Sequence, residues 1–495
     1  SDFSLSSKQR IVITVKSGSM LLGGDYISYV KDGKREILES ISNISDNDIV
    51  STVSYIYDQH PIDIELPTEK LEDITDETTA NKTVQEAVEN LTTEEKQTGV
   101  DTITLFTEEA IAKSAVHETS EENILVNNDI VKEIAEKAVS TSKTLEQTLK
   151  DNNIELQREI QENVKIRTTL EEKITVTVDN TVKSSNVDNI IVENSNFSIT
   201  ITKDVIQKDT TEPLTITIEE TEESVEVANI NTLYALVPGS GSSKTYKVQF
   251  NREKTNENIK ISLPPASGET KYQAVLKENT AVGGKYNPVT NKIEAKISTG
   301  GNYTVKQNEK DFSDIKNKPT EMQEAIKILA SKGIINGNSP TTFNPDGSIS
   351  RAEIAALIMR TLSKVDPNAK GGFTDVKATD WYYGAIGSAK RDGIINGTSA
   401  TTFGPKQQIQ KGQIVAIASR TLRSEMGYKL PADTERYNSI YSDKTSFADW
   451  MHSEVAMATR ENLILKRTDN KFLPAENMTR GDASIILYRM FNKLW

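Results

Sequence analysis

Cysteine is absent from the 495 residues of this sequence. Its absence excludes disulfide-stapled folds, thiolate metal sites and cysteine nucleophiles, so the fold has to rest on burial of apolar side chains. Histidine is nearly as scarce, with only His60, His117 and His452. None of the three has a partner at the spacing of a metal site or a catalytic triad, and we expect separate surface histidines.

Basic residues are fewer than acidic ones. The sequence has 58 Lys and Arg against 72 Asp and Glu, which gives a net charge of −14 at pH 7. Since phosphate binding draws on a surplus of basic side chains, nucleic acid is not expected as a partner. No apolar run reaches the ~20 residues that span a bilayer, so no membrane span is expected. Ser1 starts without the basic and apolar segments of a signal peptide, and we expect a mature, already processed chain.

The chain is longer than the roughly 100–200 residues of a single domain, so several folding units are expected. Up to about residue 305, short alternating apolar runs predict half-buried strands, and strands in this number predict β-sandwich-like modules. Residues 238–242, Pro-Gly-Ser-Gly-Ser, are either a long hairpin loop or a domain linker. The alternating runs fall at residues 11–15, 62–66, 174–178, 199–201, 214–218, 246–250, 259–263 and 293–297.

Between residues 108 and 172 the pattern changes to apolar residues four apart, for example Ile130, Ile134 and Ala138. This period predicts helices. Because Asn152 and Asn153 interrupt the run, two or three short helices are expected rather than one long helix.

Four landmarks recur in the same order three times in the last third of the chain, with 60 and then 69 residues between equivalent phenylalanines. An insertion, Gly427–Asn438, accounts for the longer spacing. The landmarks fall at Phe312–Asp314, Gly333–Gly337, Phe343–Pro345 and Ser350–Glu353, then at Phe373–Asp375, Gly393–Gly397, Phe403–Pro405 and Gln410–Gln413, then at Tyr441–Asp443, Asn462–Lys466, Phe472–Pro474 and Thr479–Asp482.

Each unit is predicted to fold as helix, loop, helix. In the first unit, apolar residues from Met322 to Leu329 share one helical face, and Gly333 stands where a left-handed C-terminal cap is needed. Ser350 and Glu353 have the spacing of a reciprocal capping box at the start of the second helix. Gln410 is a poor cap at the equivalent position.

Over residues 312–495 these three units resemble the surface-layer homology (SLH) family. The resemblance implies one pseudo-threefold, mainly α-helical body whose grooves bind a secondary cell-wall polysaccharide, commonly a pyruvylated one. It also implies a secreted protein held non-covalently at the cell wall of a Gram-positive-type bacterium.

A pyruvyl ketal exposes a carboxylate, which suits the positive end of a helix and a cationic side chain. Arg351 and Arg480 stand one residue inside predicted helix starts, and Lys411 takes that place in the second unit. We therefore predict that these three residues contact the polysaccharide.

Sugar rings present flat, apolar faces that pack on aromatic side chains. Trp381 and Trp450 occupy equivalent positions in the second and third units, where the first unit has Glu321. Three aspartates are candidates to accept hydrogen bonds from sugar hydroxyls or to cap a turn, and two glycines either let backbone approach a ligand or serve turn geometry. These five carbohydrate-binding candidates are Asp314, Asp375, Asp443, Gly337 and Gly397.

No unit keeps every landmark, because the first lacks the tryptophan, the second has Lys411 in place of the arginine, and the third has Lys466 where the others have the second glycine. We therefore expect three unequal grooves.

The predicted fold class is a multi-domain α+β protein, with β-sandwich-like N-terminal modules and some helices followed by the mainly α-helical pseudo-threefold SLH body. The last module before the repeats resembles a β-rich spacer found in wall-anchored proteins. The predicted boundaries are 1–105 for an N-terminal β-rich domain, 106–180 for a mixed helix and strand region, 181–245 for a β-rich domain, 246–310 for the small β-module, and 311–366, 367–434 and 435–495 for the repeats.

The predicted function is that of a structural surface-layer protein whose β-rich part self-associates in a lattice. The alternative is a wall-anchored tether or adhesin that displays another partner. A wall-active hydrolase is disfavoured, since the acidic pairs have the pattern of solvated faces. No cofactor is predicted other than Ca²⁺ as a candidate, because oxygen ligands are plentiful; Ser45–Asp48 is the densest cluster but lacks EF-hand spacing.

Overall fold

The computed structural model describes residues 27–31, 34–38, 64–184, 187–209, 212–221 and 244–494. The predicted run at 11–15, the 238–242 stretch, the candidate Ca²⁺ cluster at 45–48 and His60 lie outside these ranges. The strand predicted at 62–66 is not found in its described residues, 64–66. These residues lead into a 3-10 turn, Thr68–Asp73.

Two seven-stranded sheets form most of the body that precedes the repeats. The strands are β1 (Ile27–Lys31), β2 (Lys34–Leu38), β3 (Val116–Thr119), β4 (Ile124–Val126), β5 (Asn163–Thr168), β6 (Lys173–Val178), β7 (Asn189–Glu193), β8 (Ser198–Thr202), β9 (Leu214–Thr221), β10 (Thr245–Phe250), β11 (Lys254–Leu263), β12 (Gln273–Lys277), β13 (Thr280–Ala281), β14 (Lys285–Asn287), β15 (Lys292–Thr299) and β16 (Gly301–Gln307). Among the strands in the described ranges, β1 and β2 pair only with each other.

One sheet has the strand order β13-β12-β16-β10-β9-β6-β4, and the other has the order β14-β15-β11-β8-β7-β5-β3. Neighbours are antiparallel except in the pairs β3–β5, β4–β6 and β5–β7, which are parallel. Alternate residues of both sheets enter one hydrophobic core that extends from Ile64 to Val305. The predicted β-rich region with some helices is therefore confirmed.

Five helices of the described ranges also belong to this body, and three of them contact strands of the sheet that contains β5. The five helices are α1 (Glu77–Glu89), α2 (Thr93–Thr98), α3 (Val100–Ser114), α4 (Asn128–Asp151) and α5 (Lys203–Asp209). The Asn127 side chain caps α4 by accepting from the backbone N–H groups of Asp129 and Ile130. After α4 the backbone turns left-handed at Asn153, with φ of +59°.

The interruption predicted at Asn152 and Asn153 is confirmed, but the prediction of short helices over 108–172 is wrong in two respects. α4 is a single helix of 24 residues, and the chain after it forms β5. Val164 and Ile166 of β5 are fully buried, and parallel pairing with β3 and β7 stabilises this segment as a strand. Such long-range pairing overrides the local helical pattern.

The sheets cross the predicted boundaries near residues 180 and 245, because β6 pairs with β9, and β9 in turn pairs with β10. In the other sheet β8 pairs with β11. Residues 246–310 thus share their core with the strands that precede them. The boundaries themselves remain predictions.

The repeats consist of helices joined by loops. The helices are α6 (Thr320–Ser331), α7 (Arg351–Thr361), α8 (Tyr383–Arg391), α9 (Lys411–Met426), α10 (Thr434–Asn438), α11 (His452–Arg460) and α12 (Arg480–Lys493). α10 lies in the predicted insertion. No helix in the described ranges is both long and apolar enough to cross a bilayer.

The helix ends follow the local sequence signals. The backbone is left-handed after the first helix of each repeat, with φ of +72° at Gly333, +70° at Gly393 and +54° at Asn462. At α7, Ser350 accepts from the Glu353 N–H, and the Glu353 carboxylate accepts from the Ser350 N–H at 2.7 Å. The predicted cap and capping box are therefore confirmed.

The second helix of each repeat packs against the first helix of another repeat. α7 packs on α8, α9 packs on α11, and α12 packs on α6. The contacts are thus cyclic, and the three repeats share one core from Phe312 to Leu494.

The repeats also contact the β-rich body along a polar seam. Asp101 of α3 accepts hydrogen bonds from the Tyr428 hydroxyl and the Lys493 ammonium group, both at 2.6 Å. Asn258 of β11 donates to the carbonyl of Ser363, after α7, at 2.8 Å.

Candidate functional site

The three candidate aspartates hold the loop that carries the landmark phenylalanine of their own repeat. Each of Asp314, Asp375 and Asp443 accepts from the backbone N–H of that phenylalanine and of the next residue, at 2.7–3.1 Å. Burial opposes ionisation of Asp375, but the hydrogen bonds from Phe403 and Gly404 outweigh it and hold the pKa below its ordinary value. The carboxylates therefore have a structural role in each repeat.

The residue after each landmark phenylalanine has left-handed backbone geometry. Its φ is +61° at Asn344, +71° at Gly404 and +53° at Leu473. This geometry turns two successive amides toward one carboxylate. Glycine adopts it without steric cost and asparagine tolerates it, whereas leucine is strained there.

The two candidate glycines lie in closely packed turns. A Cβ atom on Gly337 would lie 2.5 Å from the Ser339 carbonyl oxygen and 2.6 Å from the Phe312 ring. A Cβ atom on Gly397 would lie 2.4 Å from the Ser399 carbonyl oxygen and 2.7 Å from the Phe373 ring. Turn geometry therefore requires glycine at both positions.

The three candidate cations each reach from the start of a second helix into another repeat. Arg351 is 5% exposed, and its guanidinium donates to the carbonyls of Phe403 and Asn396 at 2.9 Å and 3.0 Å. It also lies over the Phe403 ring, with its Cζ 4.6 Å from the centroid. Arg351 of the first repeat thus holds the loop of the second.

The same contact recurs around the ring of repeats. Arg480 of the third repeat donates to the carbonyls of Phe343 and Asn336 in the first, at 3.2 Å and 3.0 Å, and lies over the Phe343 ring. Lys411 of the second repeat lies over the Phe472 ring of the third, at 5.6 Å. Burial lowers the pKa of Lys411 to about 8, although Glu476 opposes the shift.

Two of the predicted residues meet in one groove, which we call the Trp381 groove. It has a volume of about 140 Å³ and is lined by residues of all three repeats. The first repeat contributes Glu353 and Arg360, the second contributes Trp381, and the third contributes Arg480. Apolar residues, including Ile335 and Leu357, form the rest of its wall.

Trp381 and Trp450 lie just before the first helices of their repeats rather than within them. Trp381 lies two residues before α8, and Trp450 lies in a 3-10 turn, Asp449–Met451, before α11. Their side chains are 63% and 50% exposed. Both indoles are therefore accessible to a ligand.

A second set of cations, which sequence reasoning missed, lies beside the tryptophan positions. Arg360, Arg420 and Arg489 each follow the cap of their second helix by ten residues. Arg420 lies over the Trp450 ring at 6.0 Å. Arg489 donates two hydrogen bonds, at 2.7 Å and 2.9 Å, to Glu321. The equal offset in all three repeats is the signal that identifies this set.

Glu321 and Arg489 are only 1% and 8% exposed. A buried ion pair thus takes the position at which the other two repeats have an exposed indole. The first repeat therefore offers no ring face for a sugar at this position.

In the described part of the chain, no group of three or more His, Asp or Glu side chains is arranged to hold a metal ion. His117 lies in β3 and His452 begins α11, where its ring is 5.6 Å from that of Phe447.

Comparison with known proteins identifies the repeats. Residues 311–355, 372–415 and 440–484 match the family model of the S-layer homology domain. The surface-layer 125 kDa protein of Lysinibacillus sphaericus is 29% identical over 170 residues, which are 34% of this chain and 14% of that protein. The S-layer protein of Bacillus thuringiensis subsp. finitimus is 25% identical over 162 residues, 32% of this chain and 19% of that protein.

A third relative is named as an enzyme and not as a surface-layer protein. The amylopullulanase of Thermoanaerobacterium thermosulfurigenes is 28% identical over 321 residues, 63% of this chain and 16% of that protein. This alignment is longer than the stretch from residue 311 to the end, so it includes part of the β-rich body. The chain spans less than a fifth of the length of each of these relatives.

Proposed function

This chain is a secreted, wall-anchored surface protein with three S-layer homology domains, and from that premise we propose that its repeats bind a pyruvylated secondary cell-wall polysaccharide. The observation that carries the proposal is the Trp381 groove, which combines an exposed indole with the Arg480 guanidinium. The indole face packs on a sugar ring. The guanidinium attracts the ketal carboxylate.

The grooves are proposed to be unequal. Trp450 with Arg420 is the second proposed contact site for the glycan, whereas the buried Glu321–Arg489 pair makes the third position unsuitable. The other predicted site residues are proposed to shape the grooves by holding loops, and they are Asp314, Gly337, Arg351, Asp375, Gly397, Lys411 and Asp443.

We propose that residues 311–366, 367–434 and 435–495 form one pseudo-threefold body. The cyclic contacts support this division, because Arg351, Lys411 and Arg480 each lie over the landmark phenylalanine of another repeat.

The proposed role of the whole chain is structural, as a surface-layer component whose β-rich body self-associates. Its surface-layer relatives support this role. A second candidate is a tether that holds a larger surface protein at the wall. The amylopullulanase favours it, because the alignment continues from the repeats into the β-rich body. The exoglucanase of Acetivibrio thermocellus and the endoglucanase of a Bacillus species align over only 182 and 192 residues, mainly through the repeats, so they support no catalytic role for this chain.

Sedimentation of the full chain with purified cell walls tests the binding proposal. We expect Trp381→Ala to weaken binding by roughly tenfold or more, because a tryptophan at a binding site contributes a large share of the binding free energy. Leu125→Ala, which removes an exposed apolar side chain from β4, is the matched control and should bind as the unmodified chain does. Equal binding to walls stripped of the pyruvylated polymer would contradict the proposal.

Electron microscopy of the purified chain separates the two roles. A lattice component forms ordered two-dimensional arrays, whereas a tether remains monomeric.

A further inference from the structure

A second cleft, which we call the seam cleft, lies between the β-rich body and the first repeat. Its volume is about 300 Å³. On one side Lys277 at the end of β12 and Lys296 of β15 line it, and on the other Lys332 after α6 and Arg360 of α7. The β-rich body and the first repeat are closely packed here. A Cβ atom on Gly333 would lie only 3.0 Å from the Ala281 carbonyl oxygen.

The lining of the seam cleft has one sign of charge. It contains four cationic side chains, and no aspartate or glutamate is found among its described lining residues. The whole chain has a net charge of −14. A cationic cleft in an acidic protein concentrates anions locally.

Two of the four cations of the seam cleft donate to neutral groups. The buried Lys332 ammonium donates to the Gln273 carbonyl, and Lys277 donates to the Thr299 hydroxyl at 2.7 Å. Burial lowers the pKa of Lys332 to about 7. It lowers the pKa of Lys296 to about 8, although the Glu425 carboxylate, 4.0 Å away, opposes the shift.

Helix dipoles explain part of this arrangement. Lys332 directly follows α6 and Arg360 lies in the last turn of α7, where a cation is favourable. Lys277 and Lys296 belong to strands, so the dipoles do not account for them. Hydroxyl groups of Ser298 and Ser363 also line the cleft and add neutral hydrogen-bond donors.

We infer that the seam cleft is a binding site for an oxyanion, a carboxylate or a phosphate group. The ammonium groups of Lys277 and Lys332 and the guanidinium of Arg360 are the proposed donors. The anion belongs either to an acidic sugar of a glycan or to a free inorganic ion. The site is distinct from the Trp381 groove, although Arg360 lines both.

Calorimetric titration of the full chain at pH 6, where Lys332 with its pKa of about 7 is mostly protonated, tests this inference with D-glucuronate and separately with inorganic phosphate. We expect binding at one site with a Kd on the order of 1 mM or tighter for at least one of the two. Lys277→Gln should weaken it by at least about tenfold, because a charge-assisted hydrogen bond is lost. Lys247→Gln removes the same charge from an exposed position on β10 and should leave the affinity unchanged.

Each outcome has a defined meaning. Binding of glucuronate supports the site and assigns it to an acidic glycan, whereas binding of phosphate alone supports it and assigns it to a free ion. Absence of binding by both anions, or equal weakening by Lys247→Gln, overturns the inference. If Lys277→Gln does not fold, judged by circular dichroism, Lys296→Gln replaces it, because Lys296 lines the seam cleft but not the Trp381 groove. Since the titration contains no wall material, its result is separate from that of wall sedimentation.

Discussion

At the scale of single residues, the landmark loop of each repeat depends on one carboxylate and one backbone conformation. The Asp375 carboxylate accepts hydrogen bonds from the backbone N–H groups of Phe403 and Gly404, both at 2.8 Å, because Gly404 has a φ of +71°. The first repeat has Asn344 at this place, and the third has Leu473. The three repeats therefore share one loop geometry, although their residues at this place differ in how readily they adopt the left-handed backbone conformation.

Substitution of Gly404 tests this point. We expect Gly404→Ala to lower the free energy of unfolding by about 1–2 kcal/mol, the cost of a left-handed L-residue. Gly404→Asn, the residue of the first repeat, should cost less because asparagine tolerates this conformation. Urea unfolding followed by circular dichroism measures both. An equal loss for the two variants would show that backbone conformation does not set the cost.

At the scale of elements, the repeats are joined by contacts between helices that are distant in sequence. α12 packs on α6, and the buried pair between Glu321 of α6 and Arg489 of α12 lies at this contact. Arg489 also donates to the carbonyls of Asn462 and Ile464, at 3.2 Å and 2.9 Å. The pair thus connects the first helix of the chain's repeat region with the last.

Removal of one partner of this pair should be costly. We expect Glu321→Ala to lower the free energy of unfolding by about 3–5 kcal/mol, because it leaves a buried guanidinium without its carboxylate. Adding Arg489→Met should restore part of the loss, since no buried charge then remains. Glu133→Ala on the surface of α4, which breaks an exposed pair with Lys137, is the control and should cost roughly 0.5 kcal/mol or less. A loss in Glu321→Ala no larger than the control would contradict this account.

At the scale of the whole molecule, two hydrophobic cores meet along a polar seam that includes buried lysines. Burial lowers the folded-state pKa of Lys332 to about 7, well below the unfolded value of about 10.4. Between these values the unfolded chain binds more protons than the folded one. The free energy of unfolding contributed by Lys332 therefore rises with pH in this window, and it falls as pH decreases toward 7.

Unfolding at two pH values tests this linkage. Between pH 7.5 and pH 9 we expect the stability of the unmodified chain to increase, relative to Lys332→Met, by about 2 kcal/mol. The comparison of the two chains cancels the other titrating groups, and a buffer free of phosphate and carboxylate avoids anion binding in the seam cleft. A stability difference that does not change with pH would show that Lys332 keeps its ordinary pKa when buried.

The sequence alone determined the features that depend on short-range patterns. The threefold recurrence follows from the order and spacing of the landmarks along the chain, and the capping box at Ser350 and the left-handed cap at Gly333 follow from residues within one or two turns of each other. Alternation predicted strands such as β6 and β9 because period-2 burial is local. The repeated positions of Trp381 and Arg480 indicate that both are site candidates.

Only the tertiary structure decided which of these parts meet. The parallel pairing of β5 with β3 and β7, and the passage of both sheets across residues 180 and 245, depend on contacts between distant segments. The contact of Arg351 with the loop of another repeat and the meeting of Trp381, Arg360 and Arg480 in one groove are long-range in the same way. No spacing along the chain specifies them, because they arise from the packing of whole helices and sheets.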